Sequence, residues 1–239
     1  MKHRINIRGV MIPNDYKWYY DYFDEDSTCP ADVQKILDIF QDGDEIEVYI
    51  NSPGGVIDVG SEIYTLLRGR RDNVKIYITG EACSAASIVA MAGYCEMAPT
   101  ALMMVHCVSS RVSGNHSDME HMANVLHTAD QALCTAYTEK TGMSQQEALA
   151  MMEAETWLTA EQAKEHGLID AVMFEGGKAE EQAIDNSAAL MVASVFRLPS
   201  VEQMGKVKNM LKQAELKAES SAFLVQAKLN LLKMRGEQR

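Results

Sequence analysis

Polar and apolar positions alternate over residues 44–50, DEIEVYI, which predicts a strand with one buried face. The run Asn51-Ser52-Pro53-Gly54-Gly55 then reads as a turn. In VIDVGSEIYTLLRGR the period changes, and Val56, Ile57, Ile63, Leu66 and Leu67 fall near helical spacing. Residues 74–79, VKIYIT, predict a second strand. Gly80-Glu81-Ala82-Cys83 turns the chain into a helix of small residues, SAASIVAMAG. Residues 101–105, ALMMV, form a third apolar run that ends at His106. Strand–turn–helix alternation of this kind predicts an α/β fold with crossover connections.

The next section is helical. Ser117 and Glu120 have capping-box spacing ahead of a long helix reaching about Thr141. Ser144 with Glu147 and Thr159 with Gln162 repeat that spacing, Gly167 stops the last helix, and LIDAVMF predicts a closing strand. From Glu175 the chain changes character. EGGKAEEQAIDNSA is small and polar like a linker, ALMVASVFRLPS is apolar, and residues 201–235 predict one or two amphipathic helices. The division is therefore a body at 1–175 and a linker with a helical tail at 176–239.

Composition narrows the class. Hydrophobic residues make up 47% of the 239 and charged residues 23%, the balance of a globular protein. MKHRINIRGVMIP lacks a continuous apolar stretch, so no signal peptide is read, and a cytoplasmic location is expected without a membrane partner. Cys29, Cys83, Cys95, Cys107 and Cys134 form no C-x-x-C pair and no metal-ligand spacing. Most are expected to be small buried hydrophobes. The net charge of −12 argues against nucleic acid as a partner of the body. That charge is uneven: residues 203–239 carry eight basic and three acidic groups, leaving 14 basic and 31 acidic before them.

The candidate chemistry lies at the turns. Glycines in N-S-P-G-G allow close approach, and a backbone N–H aimed at a pocket there could hold an oxyanion, although a plain strand-to-helix turn has the same composition. In G-E-A-C-S-A-A-S, Ser84 falls where a strand hands over to a helix. There it is either a nucleophile aided by the helix N-terminus or simply an N-cap. Ser87, one turn on, would point into packing, and Cys83 is expected to be buried. His106 ends the third apolar run, and Glu155 precedes Trp157 in ETWLTA. The order is oxyanion glycines, serine, histidine, carboxylate.

YINSPGGVI, GEACSAAS with AMAG, Pro99 seven residues before His106, and ETWLTAEQAKEHGLID together resemble the Clp protease proteolytic subunit family, over about residues 5–173. The likeness is greatest to the Clp-like head maturation proteases of phages and prophages. It implies a spiral of strand–strand–helix units with a protruding handle helix, the fold shared with crotonase-type enzymes. It implies a serine endopeptidase with Ser84 as nucleophile, His106 as general base and Glu155 where the family usually has aspartate. Gly54 and Ala85 would supply the oxyanion N–H groups. No metal or organic cofactor is implied.

The same resemblance implies a homo-oligomer, a heptameric ring or stacked rings, acting on protein or peptide substrates. The stretch CVSSRVSGNHS and the helix bearing Met119, Met122, Leu126, Leu133 and Tyr137 resemble the handle by which such rings stack. Cellular members carry an added N-terminal segment for an unfoldase ATPase. Here the strand INIRGVMI begins near residue 1, so the resemblance does not extend to ATPase docking. The helical tail suggests packaging with capsid or scaffold proteins inside a prohead. The alternatives are a cellular degradation subunit, an acyl-CoA enzyme of the enoyl-CoA hydratase type, and a degenerate, non-enzymatic assembly protein.

Overall fold

The computed structural model describes residues 1–174 and 198–214. The chain divides into two compact units, Met1–Leu190 and Met191–Arg239. In the first, four parallel strands make the centre of the sheet: β1 (Lys2–Met11), β3 (Glu45–Gly55), β4 (Val74–Cys83) and β5 (Tyr94–Met97). The short β2 (Ser27–Thr28) flanks β1, and β8 (Ala171–Val172) flanks β5. Beyond its pairing with β5, β4 also pairs in parallel with β6 (Leu102–Val105), which carries the antiparallel β7 (Thr156–Leu158). The expected mixed α/β class with crossover connections is the observed one.

Period-2 patterning sets the faces. Ile46, Val48 and Ile50 of β3 and Val74, Ile76 and Ile78 of β4 are buried on one face. On the other, Tyr49 and Tyr77 stack with ring centroids 5.1 Å apart, under the Arg4 guanidinium. Against the apolar face lie α2 (Pro30–Leu37), α3 (Ile57–Arg68) and α4 (Ala85–Ala90), in keeping with buried Val33, Leu37, Val59, Ile63 and Leu67. The expected turn at 51–55 is instead the end of β3, because Ser52 pairs with Ala82 and Gly54 with Val10. Gly80–Cys83 likewise continues β4, with Cys83 opposite Met104. α1 (Lys17–Tyr22), α2, β2, β5 and β7 have no counterpart in the sequence expectations.

The long helix α5 (His116–Thr141) is capped two residues earlier than expected. Asn115 Oδ1 accepts the N–H groups of Ser117 and Asp118, and Asp118 closes the box, so Ser117–Glu120 is not the cap. Asn at an N-cap competes as well as Ser does, and two candidate boxes overlapped here. The boxes Ser144–Glu147 of α6 (Gln145–Glu153) and Thr159–Gln162 of α7 (Ala160–Glu165) form as read. α5 has two halves. From Asp130 onward it buries Asp130, Cys134, Ala136 and Tyr137 in the body, whereas before Asp130 no residue is buried.

Its far end is tied down by Lys140. That side chain is only 5% exposed, donates to Gly93 O at 2.9 Å and pairs with Asp170, which also accepts the Cys95 N–H at 2.7 Å. In the second unit, residues 201–214 are helical, opened by a Ser200–Gln203 box. The linker expected at 176–187, most of ALMVASVFRLPS and the tail beyond residue 214 lie outside the described residues. Asp170→Ala should leave the Lys140 ammonium with Gly93 O alone and the Cys95 N–H without its acceptor, at a cost of about 1–3 kcal/mol. Chemical denaturation of the variant checks this, and an unchanged midpoint would show the pair to be idle.

Candidate active site

Parallel pairing of β4 and β6 puts their C-terminal ends side by side, with Cys83 opposite Met104 and the Ser84 N–H donating to Met104 O at 2.9 Å. Ser84 follows the last residue of β4, and His106 follows the last residue of β6. Their side chains meet, with His106 Nε2 2.7 Å from Ser84 Oγ. For Nε2 to accept the hydroxyl proton, the imidazole must carry its hydrogen on Nδ1.

The backbone at Ser84 is unusual. Its φ of 55° and ψ of −125° lie outside the regions open to L-residues, at a cost of about 1–3 kcal/mol. The conformation has a purpose: Ser84 stands at the N-cap position of α4 yet makes no capping bond, and its hydroxyl is turned to His106 instead. Of the two roles open to Ser84 in the sequence, the side-chain capping bond is not made, and the hydroxyl lies against the imidazole. Ser87 points into packing as expected. It is fully buried, donates to Ser84 O at 2.6 Å and shares a hydrogen bond of 2.8 Å with Tyr137 Oη.

Gly54 presses directly on this junction. It has φ +91°, and a Cβ there would lie 2.5 Å from Cys83 O, 2.8 Å from Ser84 Cβ and 2.9 Å from Ala85 N. Only glycine fits. Its N–H, expected to bind an oxyanion, is instead spent on Ser52 Oγ at 3.1 Å. Ser52 is wholly buried and in turn donates to Gly9 O at 2.6 Å, so the pair of N–H donors expected from Gly54 and Ala85 is not assembled in this state. Ala85 opens α4, where a first-turn N–H has no intrahelical acceptor and the helix end favours negative charge.

The carboxylate expected from Glu155 is near but not bonded to the ring. Glu155 is exposed, has a φ of 46°, and takes the Trp157 indole N–H at 3.4 Å. Among the described residues no carboxylate is hydrogen-bonded to His106. Charge still reaches it. Burial holds the His106 pKa below its ordinary value, and the carboxylates of Glu155 and then Asp130 pull it back up. Asp130 had no part in the expected site. Its only sequence signal is an acidic residue among the apolar positions of a long helix. It is 6% exposed, and its Oδ1 accepts the Val108 N–H at 2.7 Å.

A cleft opens at the pair, with Ile57, Ile88, Val108, Leu133 and Met152 on its walls and Tyr137 among its lining. Leu133 and Tyr137 thus belong to the cleft and the body rather than to an outward stripe of α5, where Met119 and Val125 are exposed and Met122 and Leu126 half-buried. Four of the five cysteines are buried, as expected, and Cys107 is partly exposed. Burial pushes the Cys83 thiol up to about 12 and that of Cys107 to about 11. Among the described residues, no cluster of three or more His, Cys, Asp or Glu side chains could hold a metal ion. No described helix is long and apolar enough to cross a membrane.

The family model for Clp protease matches residues 31–176. The chain belongs to the Clp protease family. Two proteins named ATP-dependent Clp protease proteolytic subunit, from two strains of Bacteroides fragilis, are each 33% identical to it over 141 residues. The matched stretch is 58% of this chain and spans 68% and 64% of those relatives. For this Clp family member, Gly54→Ala should displace Ser84 by the width of a methyl group, on top of roughly 1–3 kcal/mol of backbone strain. A lower melting temperature with loss of Ser84 labelling by a fluorophosphonate checks it. A variant labelled at the wild-type rate would show that the close approach is dispensable.

Proposed function

We propose that the protein is a serine endopeptidase in which Ser84 is the nucleophile and His106 the general base. The observation that carries this reading is the 2.7 Å contact between Ser84 Oγ and His106 Nε2 at paired strand ends. His106 takes the hydroxyl proton as Ser84 attacks a peptide carbonyl, and the tetrahedral oxyanion is held by the N–H of Ala85 at the start of α4. Gly54 adds a second donor only when its N–H leaves Ser52. Collapse of the intermediate passes the proton from His106 to the leaving amine. Water then repeats the cycle and frees Ser84. Glu155 steadies the imidazolium through space, as an exposed and therefore screened charge. The apolar walls of the cleft suit an aliphatic side chain next to the cut bond.

The assembly reading is a homo-oligomeric ring, heptameric or a stacked pair. Its support is the outer half of α5, on which, among the described residues, Met119 and Val125 are exposed and Met122 and Leu126 only half-buried. Substrates are proteins and peptides. Head maturation in a phage or prophage, with capsid or scaffold proteins as substrates, rests on the sequence resemblance and the basic 203–239 tail. The matched relatives are named as bacterial proteolytic subunits, which fits a protein-degradation role equally.

Mass spectrometry after fluorophosphonate treatment should find the label on Ser84, and Ser84→Ala should cleave no peptide while keeping its fold. Label on Ser87, or an active Ser84→Ala protein, would reverse the assignment. The dominance of burial over the carboxylates at His106 sets the pH dependence. A base whose pKa is lowered stays neutral to more acidic pH, so the acid limb of kcat/KM should fall below about 6.5. A limb above that value would mean the carboxylates prevail. Native mass spectrometry of the full chain should give a multiple of seven subunits, and a monomer at micromolar concentration would remove the ring.

A further inference from the structure

α5 touches both halves of the reacting pair. Tyr137 reaches Ser84 O through Ser87, and two helical turns earlier Asp130 reaches the chain just past His106. Residues seven apart share a helix face, so one face of α5 meets both segments. Asp130 is the costlier of the two. A carboxylate that is 6% exposed needs compensation, and among the described residues no lysine or arginine pairs with it. Its Oδ1 accepts the Val108 N–H at 2.7 Å, a charge-assisted bond that anchors the segment leaving β6. On the other side of Cys107, whose N–H donates to Met152 O at 3.1 Å, the chain is His106 itself.

We propose that Asp130 is a positioning residue for His106, fixing the 106–108 segment from α5 and keeping a buried negative charge near the imidazole. This rests on reading Ser84 and His106 as the reacting pair. The groups acting on His106 are few. Ser84 Oγ faces it from the start of α4, Glu155 from the approach to β7, and Asp130 from α5, while the neighbouring Cys107 thiol stays protonated. Of the two carboxylates Glu155 pulls harder, but it is exposed and accepts, among the described residues, only the long Trp157 bond, whereas Asp130 is buried and held by a backbone bond. An apolar side chain at 130 would pack the α5 face without any bond to Val108, which is why the acid there calls for a role.

Two variants separate bond from charge. Asp130→Asn keeps an oxygen for the Val108 N–H and removes the charge, and Asp130→Ala removes both. In the full-length protein, Asp130→Ala should lower kcat/KM for a peptide with an aliphatic side chain before the cut by about tenfold to a hundredfold, mostly in kcat. Asp130→Asn should keep most of the rate, but its acid limb should move to lower pH, because a charge that raised the His106 pKa is gone. NMR titration of histidine ring signals, assigned with His106→Ala, should show the His106 midpoint moving down in Asp130→Asn. That titration needs no turnover. A protein that hydrolyses nothing would therefore sink the proposed function while the midpoint still judged Asp130. An unmoved His106 midpoint in Asp130→Asn, or wild-type kcat in a folded Asp130→Ala, would overturn the assignment.

Discussion

The parallel pairing of β4 with β6 is the constraint on which the site depends. Two strands running the same way end at the same edge of the sheet, so residues just past their ends become neighbours although 22 positions apart. The register of Cys83 against Met104 leaves Ser84 and His106 as the next groups out. A slip of one residue would turn every side chain of β6 over, taking His106 with it. The buried faces of β4 and β6, with Ala82, Met103 and Val105 in the core, hold that register. The strained backbone of Ser84 is tolerable because the surroundings leave it no alternative. Met104 takes its N–H, Ser87 holds its carbonyl, and Gly54 fills the space beside its Cβ.

The histidine is poised by opposing effects. Burial among Leu133, Met152 and Ile57 favours the neutral ring, the form that can accept a proton. Carboxylates on two separate elements favour the charged form that arises once the proton has moved. The proposed dyad would need both, because a base too acidic cannot take the proton and one too basic is already occupied. The negative charge is divided between an exposed Glu155, screened by solvent, and a buried Asp130, which is screened less.

Much of this was legible in the sequence, for reasons that differ by residue. Strand alternation in DEIEVYI and VKIYIT is strong because both strands bury a single face, although each strand runs four or five residues beyond the alternating stretch. His106 drew notice because it directly follows the run ALMMV, and Ser84 because it stands between Gly80–Cys83 and a helix of small residues. N-S-P-G-G was misleading: turn-forming residues there serve a strand that bends to let Gly54 approach Ser84, and composition does not separate the two uses. Asn115 displaced Ser117 as the cap because both spacings occur within three residues. Asp130 was hidden. Its value comes from a backbone N–H 22 residues away in sequence, and no local pattern encodes that contact. Glu155 was found by position, but its bond to Trp157 rather than to the ring depends on side-chain geometry that a sequence does not carry.

The two thiols beside the reacting pair have a pharmacological consequence. Cys83 adjoins Ser84 and Cys107 adjoins His106, an arrangement that would ordinarily invite cross-reaction with electrophiles and oxidants. With its pKa pushed up to about 11, Cys107 is ionised in only about one molecule in ten thousand at neutral pH, and the more deeply buried Cys83 in fewer still. A covalent inhibitor built for an activated hydroxyl would meet the Cys107 sulfur on the cleft wall almost wholly as the weakly nucleophilic thiol.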